Sequence, residues 1–238
     1  MKRILVINPN TSSAITERVL SICRQAHPDL GWDASTARFG APYIASEAAY
    51  AVAGHAVLDA FASDFNRHDA VLIACFGDPG LLALRELSPV PVSGLAEASF
   101  VAAAALGPFA VVTGGRAWAP MLARFARTHQ LDAHLRAICT VSLTGAEIAA
   151  APQDALQALE AAGREGLSAG AGSILLGGAG LAGMASMLQA RLGVPVMDNV
   201  LAAANEVARQ AHLSHLRAGQ TPSMGMTGLS DALQRLMG

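Results

Sequence analysis

Charge, aromatic side chains and paired cysteines are all scarce in this 238-residue chain, and each shortage argues against a class of protein. Charged residues make up 14% and the formal net charge is −2, with no basic stripe and no acidic block. Nucleic acid and anionic membranes are therefore not expected as partners on electrostatic grounds. Aromatic residues account for only 5%, while abundant alanine and glycine suit close-packed helices on a sheet better than an aromatic-rich β-sandwich. The cysteines Cys23, Cys75 and Cys139 are odd in number, widely separated and without disulfide or zinc spacing, which points to a reducing cytoplasm. Long apolar runs are missing too. Ile4–Ile7 is halted by Asn8-Pro9-Asn10, too soon for a signal-peptide core. Ala98–Val112 is interrupted by Gly107-Pro108 and is too short to span a bilayer. With 53% hydrophobic residues the chain is nonetheless globular, and long enough for one large domain or two small ones.

Cofactor signatures are absent as well. There is no Walker-type lysine, and Gly177-Gly178-Ala179-Gly180 lacks the acidic ribose-binding residue that a dinucleotide fingerprint requires. His212 and His215 share a helical i, i+3 spacing without an acidic or cysteine partner, which reads as a surface pair rather than a metal site. His55 and His68 stand in no motif. No cofactor and no metal is expected.

What the chain does have is a repeat. Ala70-Val71-Leu72-Ile73-Ala74-Cys75-Phe76-Gly77 lines up with Ser173-Ile174-Leu175-Leu176-Gly177-Gly178-Ala179-Gly180. Each copy leads through a helical stretch to Val90-Pro91-Val92-Ser93-Gly94 or Val194-Pro195-Val196-Met197-Asp198. Upstream, Leu5-Val6-Ile7-Asn8-Pro9-Asn10-Thr11 is echoed by Ala110-Val111-Val112-Thr113-Gly114-Gly115. Strands are predicted at residues 3–7, 33–38, 70–74, 90–94, 109–113, 137–141, 173–176 and 194–198. They are continuous apolar runs, as expected of parallel strands covered on both faces. Helices are predicted at 13–26, 47–67, 81–87, 96–106, 118–129, 152–169, 183–192 and 200–212. This alternation is that of doubly wound α/β units. The expected architecture is two pseudo-symmetric α/β domains, each with a central, mostly parallel sheet, and an active site in the cleft between them. The first half covers residues 1–106 and the second 107–212. A last helix within 213–238 returns to the first half.

Helix ends carry local signals. Thr11, Ser12 or Ser13 can cap the first helix, with Glu17 near its positive end. Pro120 fits a helix first turn, and Gly193 reads as a helix stop.

In open α/β sheets, ligands bind beyond the carboxyl ends of the strands. Four loops take that position here: Asn8–Ser12, Cys75–Gly80, Thr113–Arg116 and Gly177–Gly183. Each is rich in the small polar residues and exposed N–H groups that suit a carboxylate or a polarised carbonyl oxygen. Singly, each is also an ordinary strand-to-helix turn. Cys75 ends an apolar strand and precedes a turn that should open a helix near Leu81. A thiol beside a helix N-terminus loses its proton more readily and can act as nucleophile or base, whereas an isolated buried cysteine is usually inert. The loop context favours the reactive reading for Cys75; Cys23 and Cys139 read as packing residues. Asp78 is open to two roles, capping the helix at Leu81 or taking part in chemistry.

These residues resemble the aspartate/glutamate/hydantoin racemase superfamily, most closely its hydantoin and allantoin racemase branch. Ile7-Asn8-Pro9-Asn10-Thr11-Ser12 is similar to that branch's opening motif. Ala74-Cys75-Phe76-Gly77-Asp78-Pro79-Gly80-Leu81, with Leu84-Arg85-Glu86 and Pro91–Ser99 after it, resembles the first-cysteine region. Leu176-Gly177-Gly178-Ala179-Gly180 resembles the second. The resemblance implies a cofactor-independent isomerase in which two thiols flank the substrate's α-carbon. One removes a proton and the other delivers a proton to the opposite face. Cys75 matches the first thiol, and Gly178 stands where the second belongs. Asn10, Thr11, Gly77, Asp78, Thr113, Gly114, Ala179 and Gly180 are then expected to line the site of a 5-substituted hydantoin, allantoin or a related carboxylate. With one thiol, two alternatives stand beside racemisation. One is a decarboxylase that protonates one face of an enolate, as the related arylmalonate decarboxylases do; the other is a binding protein with little turnover. The alanine-rich helices also suit docking of a second copy, so a homo-oligomer stays open.

Overall fold

A computed structural model of the chain describes residues 1–65, 67–213 and 225–237. His215 lies outside the described residues. The continuous apolar runs become two four-stranded, wholly parallel sheets. Strands β1 (Arg3–Asn8), β2 (Gly31–Thr36), β3 (Ala70–Ile73) and β4 (Val92–Gly94) form the first, in the order β2-β1-β3-β4. Strands β5 (Phe109–Gly114), β6 (Leu135–Val141), β7 (Ser173–Gly177) and β8 (Val196–Asp198) form the second, in the order β6-β5-β7-β8. The orders are the same once the strands are numbered within each repeat. The registers agree as well. Ile4 pairs Ala70 in the first sheet and Phe109 pairs Ser173 in the second; Val71 pairs Val92 and Ile174 pairs Val196. These are the residues that the sequence repeat matches.

Helices α1 (Ser13–Ala26), α2 (Glu47–Ser63), α3 (Leu81–Leu87) and α4 (Leu95–Ala104) follow the strands of the first repeat. Helices α5 (Trp118–Thr128), α6 (Gly145–Ala150), α7 (Pro152–Ser168), α8 (Ala185–Leu192) and α9 (Asn199–Leu213) follow those of the second, and α10 (Asp231–Met237) comes last. Every predicted strand and helix is present. The short α6, closed by a Thr144–Glu147 capping box, and a 3-10 turn at Ala179–Leu181 went unpredicted, because neither is long enough to show a period.

By contacts the chain divides into two units. The first is Met1–Ala74, Asp78–Gly94 and Ala204–Gly238; the second is Cys75–Gly77 and Leu95–Ala203. The sequence placed the division near residue 107. By contacts α4 goes with the second unit, because it packs on β7 and β8. The end of α9 belongs to the first unit, where Gln210 accepts from Ser93 (3.0 Å) and Asn205 meets His27 (2.9 Å).

In each unit, alternate strand residues point to a common core. Leu5, Ile7, Val71 and Ile73 pack with Val57 and Phe61 of α2 and Leu81 and Leu84 of α3. Ala110, Val112, Ile174 and Leu176 pack with Leu156 and Leu159 of α7 and Leu188 of α8. Burial of each Val, Leu, Ile or Phe side chain here contributes about 1.5–3 kcal/mol. In the first unit α10 lies on α2, where Leu233 and Met237 join Leu87. Gly193 closes α8 with φ 70° and its N–H on the Gln189 carbonyl. At α1 the N-cap is Ser12, but its side chain makes no cap bond and no acidic residue lies in the first turn.

Asp59 of α2 is buried, yet it is charged and anchored from two directions. Arg38 donates to Oδ2 (3.1 and 2.7 Å). Burial alone would raise this carboxyl, but hydrogen bonds from Ser230 and Arg38 outweigh it and hold Asp59 below the usual carboxylate range. Ser230 also receives the Leu233 N–H at the start of α10 (3.3 Å). One carboxylate thus ties the loop after β2 and the C-terminal helix to α2. A carboxyl lowered by folding contributes stability that is present above its unfolded value, near 3.8, and is lost as pH falls through the folded value. Asp59→Asn should lower stability by about 1–3 kcal/mol at pH 7, and the difference from wild type should shrink below pH 4. Urea melts at pH 7 and pH 3 test both statements.

Candidate functional site

Strand order fixes where a ligand can enter each sheet. The chain leaves β1 toward β2 on one side and returns to β3 on the other, so the loops after β1 and β3 part and leave a crevice at the carboxyl edge. The same holds for the loops after β5 and β7.

The loop after β1 is organised by Asn8, which is fully buried at the strand's last position. Its Nδ2 donates to Asn10 Oδ1, the Ser12 carbonyl and Thr16 Oγ1, each at 3.0 Å. Its Oδ1 accepts the Asn10 N–H at 3.2 Å. Asn10 Oδ1 also receives the Ser12 N–H (2.8 Å), which closes the turn leading into α1. Both demands on Asn10 fall on its oxygen. Its Nδ2 bonds no described residue, so it is the donor this loop has to offer a ligand. Thr11 donates its N–H to the Ala41 carbonyl (3.2 Å), which pins the loop from outside.

The loop after β3 begins with Cys75, a buried thiol. On one side the Ala74 N–H is held by the Ile7 carbonyl (2.8 Å). On the other, the Phe76 ring fills the space where a side chain at Gly177 would stand. Gly77 and Asp78 both take positive φ, 133° and 52°, which turns the chain sharply away from the strand. The N-cap residue of α3 is Gly80, and Asp78 contributes its backbone carbonyl to the Leu81 N–H (3.2 Å). Its carboxyl group lies over Gly94, at the end of β4, in the place a Gly94 side chain would take.

In the second unit, Thr113, next to last in the buried strand β5, carries a hydroxyl that bonds no described residue. Gly114 follows, and Gly115 is held by the Val141 carbonyl (2.9 Å). Across from Thr113, Gly178 opens the 3-10 turn; its carbonyl takes the Leu181 N–H (3.0 Å). The opening N–H groups of such a turn, here at Gly178, Ala179 and Gly180, have no acceptor within it. The loop's far end is clamped by Asp198. Oδ2 accepts the Gly183 N–H (2.5 Å), while Oδ1 accepts those of Val200 (2.8 Å) and Leu201 (3.1 Å).

Gly178 is more than a position without a thiol. Its φ is 128°, which L-residues rarely adopt, and a Cβ there would meet Leu181 Cδ1 at 3.1 Å and Thr113 Oγ1 at 3.9 Å. Any side chain at 178 would thus point toward the Thr113 hydroxyl and be strained in doing so.

Sequence reasoning therefore finds its candidates in two groups. Asn10, Thr11 and Asp78 belong to the first unit; Cys75, Gly77, Thr113, Gly114, Gly178, Ala179 and Gly180 belong to the second. It missed Asn8, Phe76 and Asp198. Asp198 had a readable signal, an aspartate directly before a helical run. Asn8 and Phe76 act through packing that no local pattern reveals. Cys23 and Cys139 are buried, and burial pushes the Cys139 thiol up, with Glu165 adding to it. His68 pairs with Asp33 (2.9 Å) and His55 packs on Phe39. Among the described residues no three His, Cys, Asp or Glu side chains are grouped to hold a metal ion, and no helix is long and apolar enough to cross a membrane.

Twin parallel sheets with polar loops at their carboxyl edges, one bearing a thiol, define a class of α/β enzyme. The sequence profile of the Asp/Glu/Hydantoin racemase family matches residues 4–207, and the chain belongs to that family. It is 38% identical over 217 residues to the hydantoin racemase of Paenarthrobacter aurescens, an alignment covering 84% of this chain and 87% of that one. The structure is similar to allantoin racemase from Klebsiella pneumoniae, with a TM-score of 0.89, 30% identity and coverage of 98% and 99% of the two chains. Arylmalonate decarboxylase shares the fold, with a TM-score of 0.61 at 18% identity over 91% of this chain and 96% of that one.

Two substitutions probe this site. Gly178→Ala should cost about 1–3 kcal/mol through its positive φ, read as a lowered urea midpoint. Asn8→Ala removes one donor from each of three acceptors and the acceptor of the Asn10 N–H, and should cost more, about 2–4 kcal/mol; its melt should shift further than that of Gly178→Ala.

Proposed function

We propose that this chain is a cofactor-independent enzyme of the hydantoin/allantoin racemase type, in which Cys75 moves a proton at a carbon alpha to a carbonyl. The observation that carries the reading is the place of the thiol. Cys75 follows β3 at the crevice between the β1 and β3 loops, in a chain with 38% identity to a hydantoin racemase. The carbonyl beside the reacting carbon acidifies its C–H bond. The Cys75 thiolate takes the proton, and the electron pair moves onto the carbonyl oxygen as an enolate. That oxygen gains charge, so donors aimed at it lower the barrier. The backbone N–H groups around Gly77 and at Gly178, Ala179 and Gly180 fill this role. Asn10 Nδ2 and the Thr113 hydroxyl orient the remaining polar groups of the substrate, with Thr11, Asp78 and Gly114 shaping the loops. The substrate class is a 5-substituted hydantoin, allantoin or a related carboxylate.

Inversion needs an acid or base on each side of the planar intermediate. Cys75 serves one side, and Gly178 offers none on the other. A lone thiol returns its proton, or a solvent-derived one, to the face it came from. The single-thiol arrangement therefore favours exchange with retention, and it also suits one-sided protonation of an enolate left by loss of CO₂.

Proton NMR in D₂O, with optical rotation followed alongside, decides among these. The substrates are each enantiomer of a 5-substituted hydantoin and of allantoin, with Cys75→Ser as control. Exchange of one enantiomer with retention, lost by at least about 100-fold in Cys75→Ser, is the expected result. Exchange with inversion means another group serves the second face. No exchange with any of these substrates overturns the hydantoin reading. Release of CO₂ from an arylmalonate would then mark a decarboxylase, and thermal stabilisation without product a binding protein.

A further inference from the structure

The chain contains only seven phenylalanines, and four of them form one continuous cluster behind Cys75. Phe100, fully buried on α4, stands at its centre. It meets Phe109 at the start of β5 edge-on, with centroids 5.5 Å apart and planes at 89°. It also meets Phe125 of α5 edge-on at 6.0 Å, and Phe76 at 5.9 Å with the planes tilted by 34°. Edge-to-face pairs of this kind resist displacement because both rings would lose contact area and favourable orientation together. Phe76 is thus backed by the Phe100 ring, which Phe109 and Phe125 hold in place.

Its front edge meets backbone. A Cβ built at Gly177 falls 2.5 Å from Phe76 Cζ and 2.7 Å from Cδ1, far inside contact distance, so the ring occupies the side-chain place of residue 177. Gly177 is the last residue of β7, pairs with Thr113 of β5 and precedes Gly178. The residue next to the thiol is therefore wedged against the residue next to the opposing loop, with no slack on either side. Any side chain at 177 would have to displace this ring.

From this geometry we infer that Phe76 is a positioning residue: wedged between the Phe100 cluster and Gly177, it sets the placement of the Cys75 thiol relative to the Gly178 loop. The inference rests on the reading of Cys75 as the reacting thiol. A displacement of about 1 Å at a reacting group can cost up to 100-fold in rate, so a wedge of this kind matters to chemistry more than to affinity.

A size-swap cycle tests it on the full chain. Phe76→Leu, Gly177→Ala and the double variant are compared by isotope exchange, by the rate at which iodoacetamide alkylates Cys75, and by Tm. The buried Cys23 and Cys139 serve as internal standards for the alkylation, read by peptide mass. Each single variant should lower kcat for exchange about tenfold or more while KM stays within about twofold, and should change the Cys75 alkylation rate. In the double variant the smaller side chain at position 76 makes room for the methyl added at position 177, so kcat and alkylation should recover to well above the product of the single effects. Singles that lower Tm while kcat and alkylation stay at wild-type values would overturn the proposal, as would single effects that simply multiply in the double. If Gly177→Ala does not fold, Phe76→Leu and Phe76→Met give the same split between kcat and Tm. Should the wild-type protein exchange no substrate, the functional reading falls, and alkylation of Cys75 alone still decides whether Phe76 places the thiol.

Discussion

Parallel pairing of the two middle strands in each sheet is the constraint on which the rest of this structure depends. Parallel strands bring their carboxyl ends to the same edge, so the loops after β1 and β3 open side by side, and so do those after β5 and β7. Buried apolar strands hold that pairing in a fixed register, because a slip of one residue would turn Leu5, Ile7, Val71 and Ile73 away from their core. Whatever chemistry the loops perform is therefore referred to a rigid frame. Asn8 and Thr113 hold the same register position in the two sheets and have diverged in use. Asn8 spends every polar atom on holding its loop, whereas the Thr113 hydroxyl bonds no described residue. One half builds its loop from within; the other keeps a hydroxyl available.

The same division of labour runs through the thiol and its counterpart. Cys75 lies on a loop whose neighbours are fixed by a backbone hydrogen bond and a phenyl ring. Gly178 lies on a loop whose backbone has moved into a region that favours glycine. A side chain cannot be returned to 178 without relaxing that backbone, so the asymmetry is built into the main chain and not only into the side chain.

Much of this was legible in the sequence for physical reasons. Apolar runs flanked by Gly, Pro, Asn and Asp announce buried parallel strands, and all eight appear. The repeat announced matching registers, which the strand pairs reproduce. Loop polarity and the place of Cys75 at a strand end pointed to the carboxyl edge of each sheet. What stayed hidden depends on contacts between residues distant in sequence. The unit boundary follows from α4 packing on β7 and β8, which no local composition records. The roles of Phe76 and Asn8 depend on what stands opposite them in space. A hydroxyl cap was expected at α1, but the Ser12 side chain makes no cap bond, and the turn before the helix is held by Asn10 and Asn8.

The carboxylates at the ends of β4 and β8 carry a consequence for how this chain can change. Asp198 sits at the end of β8 and clamps the loop beside it. Register puts Gly94 in the corresponding place on β4, and there the carboxyl group arrives from Asp78, reaching over from the β3 loop. Each half has one carboxylate at that corner, supplied by different parts of the chain. Positions 78 and 94 are therefore sterically coupled. A lineage can acquire a side chain at 94 only as it gives up the one at 78, and grafting a single loop between the halves would leave the corner with two carboxylates or with none.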